Sequence, residues 1–115
     1  KGNYQLEGEK SVVRPTFSYL GKYTISDYTI WQIVDYSLKQ VEGINKLTRF
    51  RVENHPDGTH IHMDLVLNYG YPIKQLIQEA QSRVRDEMDK LTAINIVSFN
   101  VNVKGLVVPS KKDKV

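Results

Sequence analysis

The stretch FRVENHPDGTHIHMDLVL, residues 50–67, decides the fold. At its centre, His55-Pro56-Asp57-Gly58-Thr59 has the chemistry of a tight turn. Proline presets φ for the first corner, aspartate can bond its own backbone, and glycine accepts positive φ at the third place. A type I turn closed by a glycine bulge follows. It sets Asn54 opposite Thr59, Glu53 opposite His60, Val52 opposite Ile61, Arg51 opposite His62, Phe50 opposite Met63 and Arg49 opposite Asp64. Phe50, Val52, Ile61, Met63, Leu65 and Leu67 then share one face. Period-2 alternation requires that same grouping, so turn and pattern agree on one hairpin from about Leu47 to Tyr69.

The opposite face carries Arg49, Arg51, Glu53, His60, His62 and Asp64. His60 and His62 point the same way at i and i+2, which raises the question of zinc. Arg51 is expected directly across from His62, and a fixed cation beside a divalent ion is costly. Glu53 with His60 and Arg49 with Asp64 read as ordinary cross-strand charge pairs on a solvated face. The chain has no cysteine and no H-E-x-x-H on a helix. No metal site is therefore assigned, with His60 and His62 the nearest candidates, and no cofactor is implied.

The 115 residues make one domain with a modest core, and the absence of cysteine suits a reducing cytoplasm. No stretch reaches the length of a membrane span and no signal peptide is visible. The chain starts at Lys1 rather than methionine, which leaves room for an upstream anchor. Its net charge is +3, and Lys104, Lys111, Lys112 and Lys114 against Asp113 account for all of it. The folded part is neutral, which argues against the clustered basic face of a nucleic-acid binder.

Residues 1–20 lack periodicity and are expected to form a flexible arm, with a short strand near Val12-Val13 or Phe17-Tyr19. Residues 21–108 form the domain and 109–115 a basic polar tail. Tyr23-Thr24-Ile25 is a strand candidate. Ser26 or Asp27 caps a first helix whose stripe is Ile30, Ile33, Val34, Leu38 and Val41, with Gly43 as its C′ glycine. Gly70 and Pro72 mark a turn into a second helix, Pro72 to Leu91, whose stripe is Ile73, Leu76, Ile77, Ala80, Val84, Met88 and Leu91. From Ile94 to Val108 the pattern is strand-like, with Val97, Phe99, Val101 and Val103 alternating against Ser98, Asn100, Asn102 and Lys104.

The order β-α-β-β-α-β predicts an α+β fold: a two-layer sandwich with an antiparallel sheet and both helices on one face. The other face stays wet, with His60, His62, Asp64, Asn100 and Asn102 on it. Several phrases in this order resemble the alkaline shock protein family, the cell-envelope stress response proteins of Gram-positive bacteria. They are GKYTISD before the first helix, VEGI at its end, HIHMDLVLNYGYPI before the second, and FNVNVKGLVV at the close. Gly43, Asp64, Tyr69, Gly70, Asn100 and Gly105 occupy family-motif positions taken as structural. The segment from Gly43 to Phe50 leaves no room for a glycine-rich insertion that many members carry, and Ala93 stands where a glycine is usual. The resemblance is thus to a short or divergent member.

What the resemblance implies is a non-enzymatic, cytoplasmic protein at the inner face of the membrane, a scaffold or protein-interaction module. Its partners would be a small membrane-anchor protein and further copies of itself. The residues agree that no enzyme is indicated: there is no nucleophile–base pair, phosphate loop or useful carboxylate pair. Trp31, off the main stripe of the first helix, and Asn100 and Asn102 on the last strand are the expected interaction residues. If Ile94 to Val108 is a sheet edge, its backbone offers a template to another chain. The alternative is a small RNA-binding module of the same element order, but the outward positions of its sheet carry no aromatic for base stacking.

Overall fold

Ser26 begins the first helix because its hydroxyl accepts the Thr29 amide at 3.1 Å, a serine N-cap that satisfies one of the orphan amides of a first turn. The computed structural model of the protein describes residues 17–20 and 23–109. Most of the expected arm, residues 1–16, and the tail after residue 109 lie outside them. The elements are β1 (Phe17–Leu20), β2 (Tyr23–Ser26), α1 (Asp27–Lys39), β3 (Ile44–His55), β4 (Gly58–Asn68), α2 (Ile73–Leu91) and β5 (Ile96–Val107).

The β3–β4 hairpin has the register read from its turn, from Asn54 opposite Thr59 through Arg49 opposite Asp64. Gly58 pairs with His55 across a two-residue turn, without the expected bulge, and sits at φ +138°, a conformation that favours glycine. A Cβ there would stand 2.7 Å from the Val97 side chain and 2.9 Å from the Asn95 carbonyl oxygen. The glycine thus serves both the turn and the close approach of the segment leading into β5.

The α+β class and the two layers are as expected, but the sheet is not wholly antiparallel. Its order is β3-β4-β5, and β5 runs parallel to β4. The chain leaves β4, returns along α2 and re-enters at the same end, which is the crossover that parallel strands need. Alternation along β5 is identical in either direction, so the pattern carries no sign of polarity. β2 does not join this sheet either; it pairs with β1 in a separate two-stranded ribbon.

Ile30, Val34, Leu38 and Val41 from the first helix and its exit, and Leu76, Ala80, Val84 and Met88 from α2, form one core with Phe50, Val52, Ile61, Met63, Leu65 and Leu67. The edges of both stripes depart from expectation. Ile33 is only half-buried, and Ile73 and Leu91 are exposed. Helix α1 also ends earlier, with Gln40 as its C-cap. Gly43, at φ +106°, therefore belongs to the following turn rather than to a C′ position. There its carbonyl accepts the Asn68 amide at 2.7 Å, and a Cβ would meet Leu76 at 3.0 Å.

Candidate interaction surface

The wet face of the sheet is built by β4 in the middle, with β3 and β5 on either side. His62 pairs with Asn100, and Asp64 with Asn102, across the parallel register. The Asn102 amide donates to the Asp64 carboxylate at 3.0 Å, and Asp64 is buried. The expected Arg49–Asp64 charge pair is thus replaced by an amide–carboxylate bond from the neighbouring strand. His60 is likewise taken by other partners than Glu53. Its Nδ1 lies 2.7 Å from the Ser98 hydroxyl and its Nε2 lies 3.0 Å from the Asp57 carboxylate.

Glu53 gathers the rest of the hairpin. It forms an ion pair with Arg51, and one of its oxygens lies 3.2 Å from His55 Nε2 and 3.3 Å from His62 Nε2. His62 Nε2 is buried and makes no aligned hydrogen bond, so its approach to Glu53 is not a directed bond and becomes an ion pair only when the ring is protonated. Burial, followed by the Arg51 charge and the two other imidazoles, pushes the His62 pKa below its ordinary value. These bonds occupy both nitrogens of His60, and Arg51 disfavours a cation at His62. Among the described residues, no three His, Asp or Glu side chains are arranged to hold a metal ion.

β5 is the least covered part of the sheet. No strand lies on its far side among the described residues. Ile96 is buried, whereas Val97, expected in the core, is exposed, because the register with β4 shifts between Ile96 and Ser98. A second shift falls between Val103 and Gly105, and a Cβ added at Gly105 would meet nothing within 4 Å. Between the shifts Phe99 and Val101 are half-buried and Val103 is exposed. Arg85 holds the beginning of the strand. Its guanidinium donates to the Ile96 carbonyl at 2.6 Å and lies 5.2 Å from the centre of the Phe99 ring, a cation–π contact.

The sequence profile of the alkaline shock protein family, described as having a cell envelope-related function, matches residues 50–108. The chain belongs to this family. The matched segment contains the hairpin tip, α2 and the whole of β5. No curated protein matches the chain. Solved structures similar to it include forms of the MamM CTD. A copper form of one variant shares 14% identity at a TM-score of 0.54, covering 68% of this chain and 95% of that one. A nickel form of another variant shares 12% at 0.55, covering 68% and 96%. At such identities the likeness is one of fold.

Tyr69 and Gly70 follow the end of β4. The Tyr69 amide donates to the Val107 carbonyl at 2.8 Å, tying β4 to the end of β5, and Gly70 turns the chain at φ +112°. Tyr69, Gly70, Tyr71, Pro72, Ile73 and Leu106 line a shallow apolar groove. Burial first, and then the Glu42 carboxylate beside it, hold the Tyr71 hydroxyl above its ordinary pKa. Trp31 is half-buried against the core and stacks on the exposed Tyr28 with ring centres 5.7 Å apart. Sequence reasoning missed Arg85, the residue that anchors β5, because its role depends on α2 lying beside the start of that strand.

No helix among the described residues is long and apolar enough to cross a membrane.

Proposed function

We propose that this protein is a non-enzymatic scaffold of the cell-envelope stress response, cytoplasmic and gathered at the inner face of the membrane. It works by protein–protein contact with a small membrane-anchor protein and with itself, and it uses no cofactor. The observation that carries this reading is the uncovered strand β5. It is twelve residues long, lies at the edge of the sheet, contains no proline and bears Lys104 as its one charge. Edge strands are usually blunted by proline, short length or inward charge, so an edge left open in this way suits strand addition by a partner. Asn100, Asn102 and the half-covered valines supply the side-chain contacts.

Chemical cross-linking in the source cells, purification and mass spectrometry test the reading. The expected result is co-recovery of a small protein with a membrane span together with cross-linked copies of this chain. Recovery of RNA or ribosomal proteins with no membrane partner would replace it by the RNA-binding alternative, against which stands the absence of aromatics among His60, His62, Asp64, Ser98, Asn100 and Asn102 on the wet face.

A further inference from the structure

We infer that the edge of β5, unpaired among the described residues, pairs antiparallel with β5 of a second copy about a two-fold axis at Val101, joining two three-stranded sheets into one. The inference rests on the scaffold reading and specifies its self-contact. A two-fold contact must be complementary to itself, residue by residue. About Val101 the strand is close to a palindrome: Asn100 falls opposite the second copy's Asn102, and Phe99 opposite its Val103, on each side of the axis. These pairs keep the parity of the strand, so the apolar residues meet on the helix-covered face and the amides meet on the wet face. The stretch from Ser98 to Val103 lies between the two register shifts and is the regular part of the edge.

Charge selects the axis. With Val101 at the centre, Lys104 lies opposite Ser98. Moving the axis to Asn100 sets the charged Lys104 opposite the buried, apolar Ile96. Moving it to Asn102 sets Phe99 opposite Gly105 and leaves the largest side chain of the strand without a neighbour. The Val101 axis avoids both. Phe99 and Val103, half-buried and exposed in the single chain, would then cover one another.

The chain contains no cysteine, so single cysteines report the contact directly. Residues opposite one another across an antiparallel pair have Cβ atoms about 5 Å apart, close to the span of a disulfide. Under mild oxidation the purified Val101→Cys protein is expected to form a covalent dimer. Asn100→Cys, two residues out of step with its own copy, and the exposed control Leu91→Cys should form little. Cross-linking of Asn100→Cys in preference to Val101→Cys, or equal cross-linking by Leu91→Cys, overturns the proposal.

A second measurement guards against a cysteine effect. The double variant Asn100→Lys/Asn102→Lys sets lysines opposite one another twice and should weaken self-association at least about tenfold with its circular dichroism unchanged. Unaltered association by sedimentation equilibrium overturns the proposal as well. The capture experiment separates the two readings. A Val101→Cys dimer without a membrane partner leaves the pairing standing and removes the scaffold, whereas a membrane partner without the dimer does the reverse.

Discussion

Leu65 on β4 and Val103 on β5 are direct neighbours across the sheet and face the same side, yet Leu65 is 0% exposed and Val103 is 37% exposed. Both belong to equally clear alternating patterns. Among the described residues, strand β4 has a strand on each side and helices over its apolar face, while β5 has one neighbouring strand and partial cover. Alternation therefore reports which residues share a face and says nothing of whether anything lies on that face. The difference divides the domain into a saturated part, which holds the fold, and an unsaturated part, which has capacity left for contact.

Substitutions at the two sites should break or sharpen this contrast. Leu65→Ala leaves a cavity in a closed core and is expected to cost about 2–5 kcal/mol, read as a drop in the urea midpoint. A loss as small as that of a surface residue would mean that β4 is less enclosed than described. Gly58→Ala forces a side chain into positive φ and against the Asn95 carbonyl, 2.9 Å from the added Cβ. Its expected cost is about 2 kcal/mol, and a neutral result would remove the turn geometry from the argument. Val103→Ala should cost under about 1 kcal/mol in dilute protein. A penalty approaching that of Leu65→Ala would place β5 with the closed region.

The wet face supplies a smaller, pH-dependent effect. His62 has its folded pKa lowered, chiefly by burial, so the unfolded chain binds its proton more readily. Its contribution is complete above the unfolded value near 6.5 and is lost as pH falls through that value toward the folded pKa. Asp27 acts in the opposite sense. Burial raises its pKa to about 6, so its ionised form weakens the fold above that pH and the penalty is relieved on acidification. The His62→Gln variant should therefore gain on the parent between about pH 7.5 and about pH 5.5 in paired urea titrations. A constant difference between the two across that range would show that His62 does not titrate with unfolding.

The hairpin was legible because two independent signals coincide in it. The Pro56-Asp57-Gly58 turn sets a register, and Val52, Ile61 and Met63 require that same register. The direction of β5 was not legible, since Phe99 and Val101 alternate identically whichever way the strand runs. That ambiguity hid the partners of Asp64 and His60, which are Asn102 and Ser98 on the strand whose placement was in question. The end of α1 was misread for a related reason: Val41 continues the apolar spacing past the last helical turn, so the stripe outlasts the helix. The backbone bond from Tyr69 to Val107 and the register shift before Gly105 were not visible in the sequence, because both depend on β5 lying beside β4.

The parallel placement of β5 also orders events in time. The β3–β4 hairpin closes through a tight turn between neighbouring segments, whereas β5 can reach β4 only after the chain has run out and back through α2, a more distant closure with a larger entropic cost. On a ribosome the hairpin emerges before α2 and β5 emerges last. Until β5 docks, the open edge of the sheet is that of β4, lined by the most buried residues of the finished fold, so the arrival of β5 exchanges an apolar edge for a more polar one.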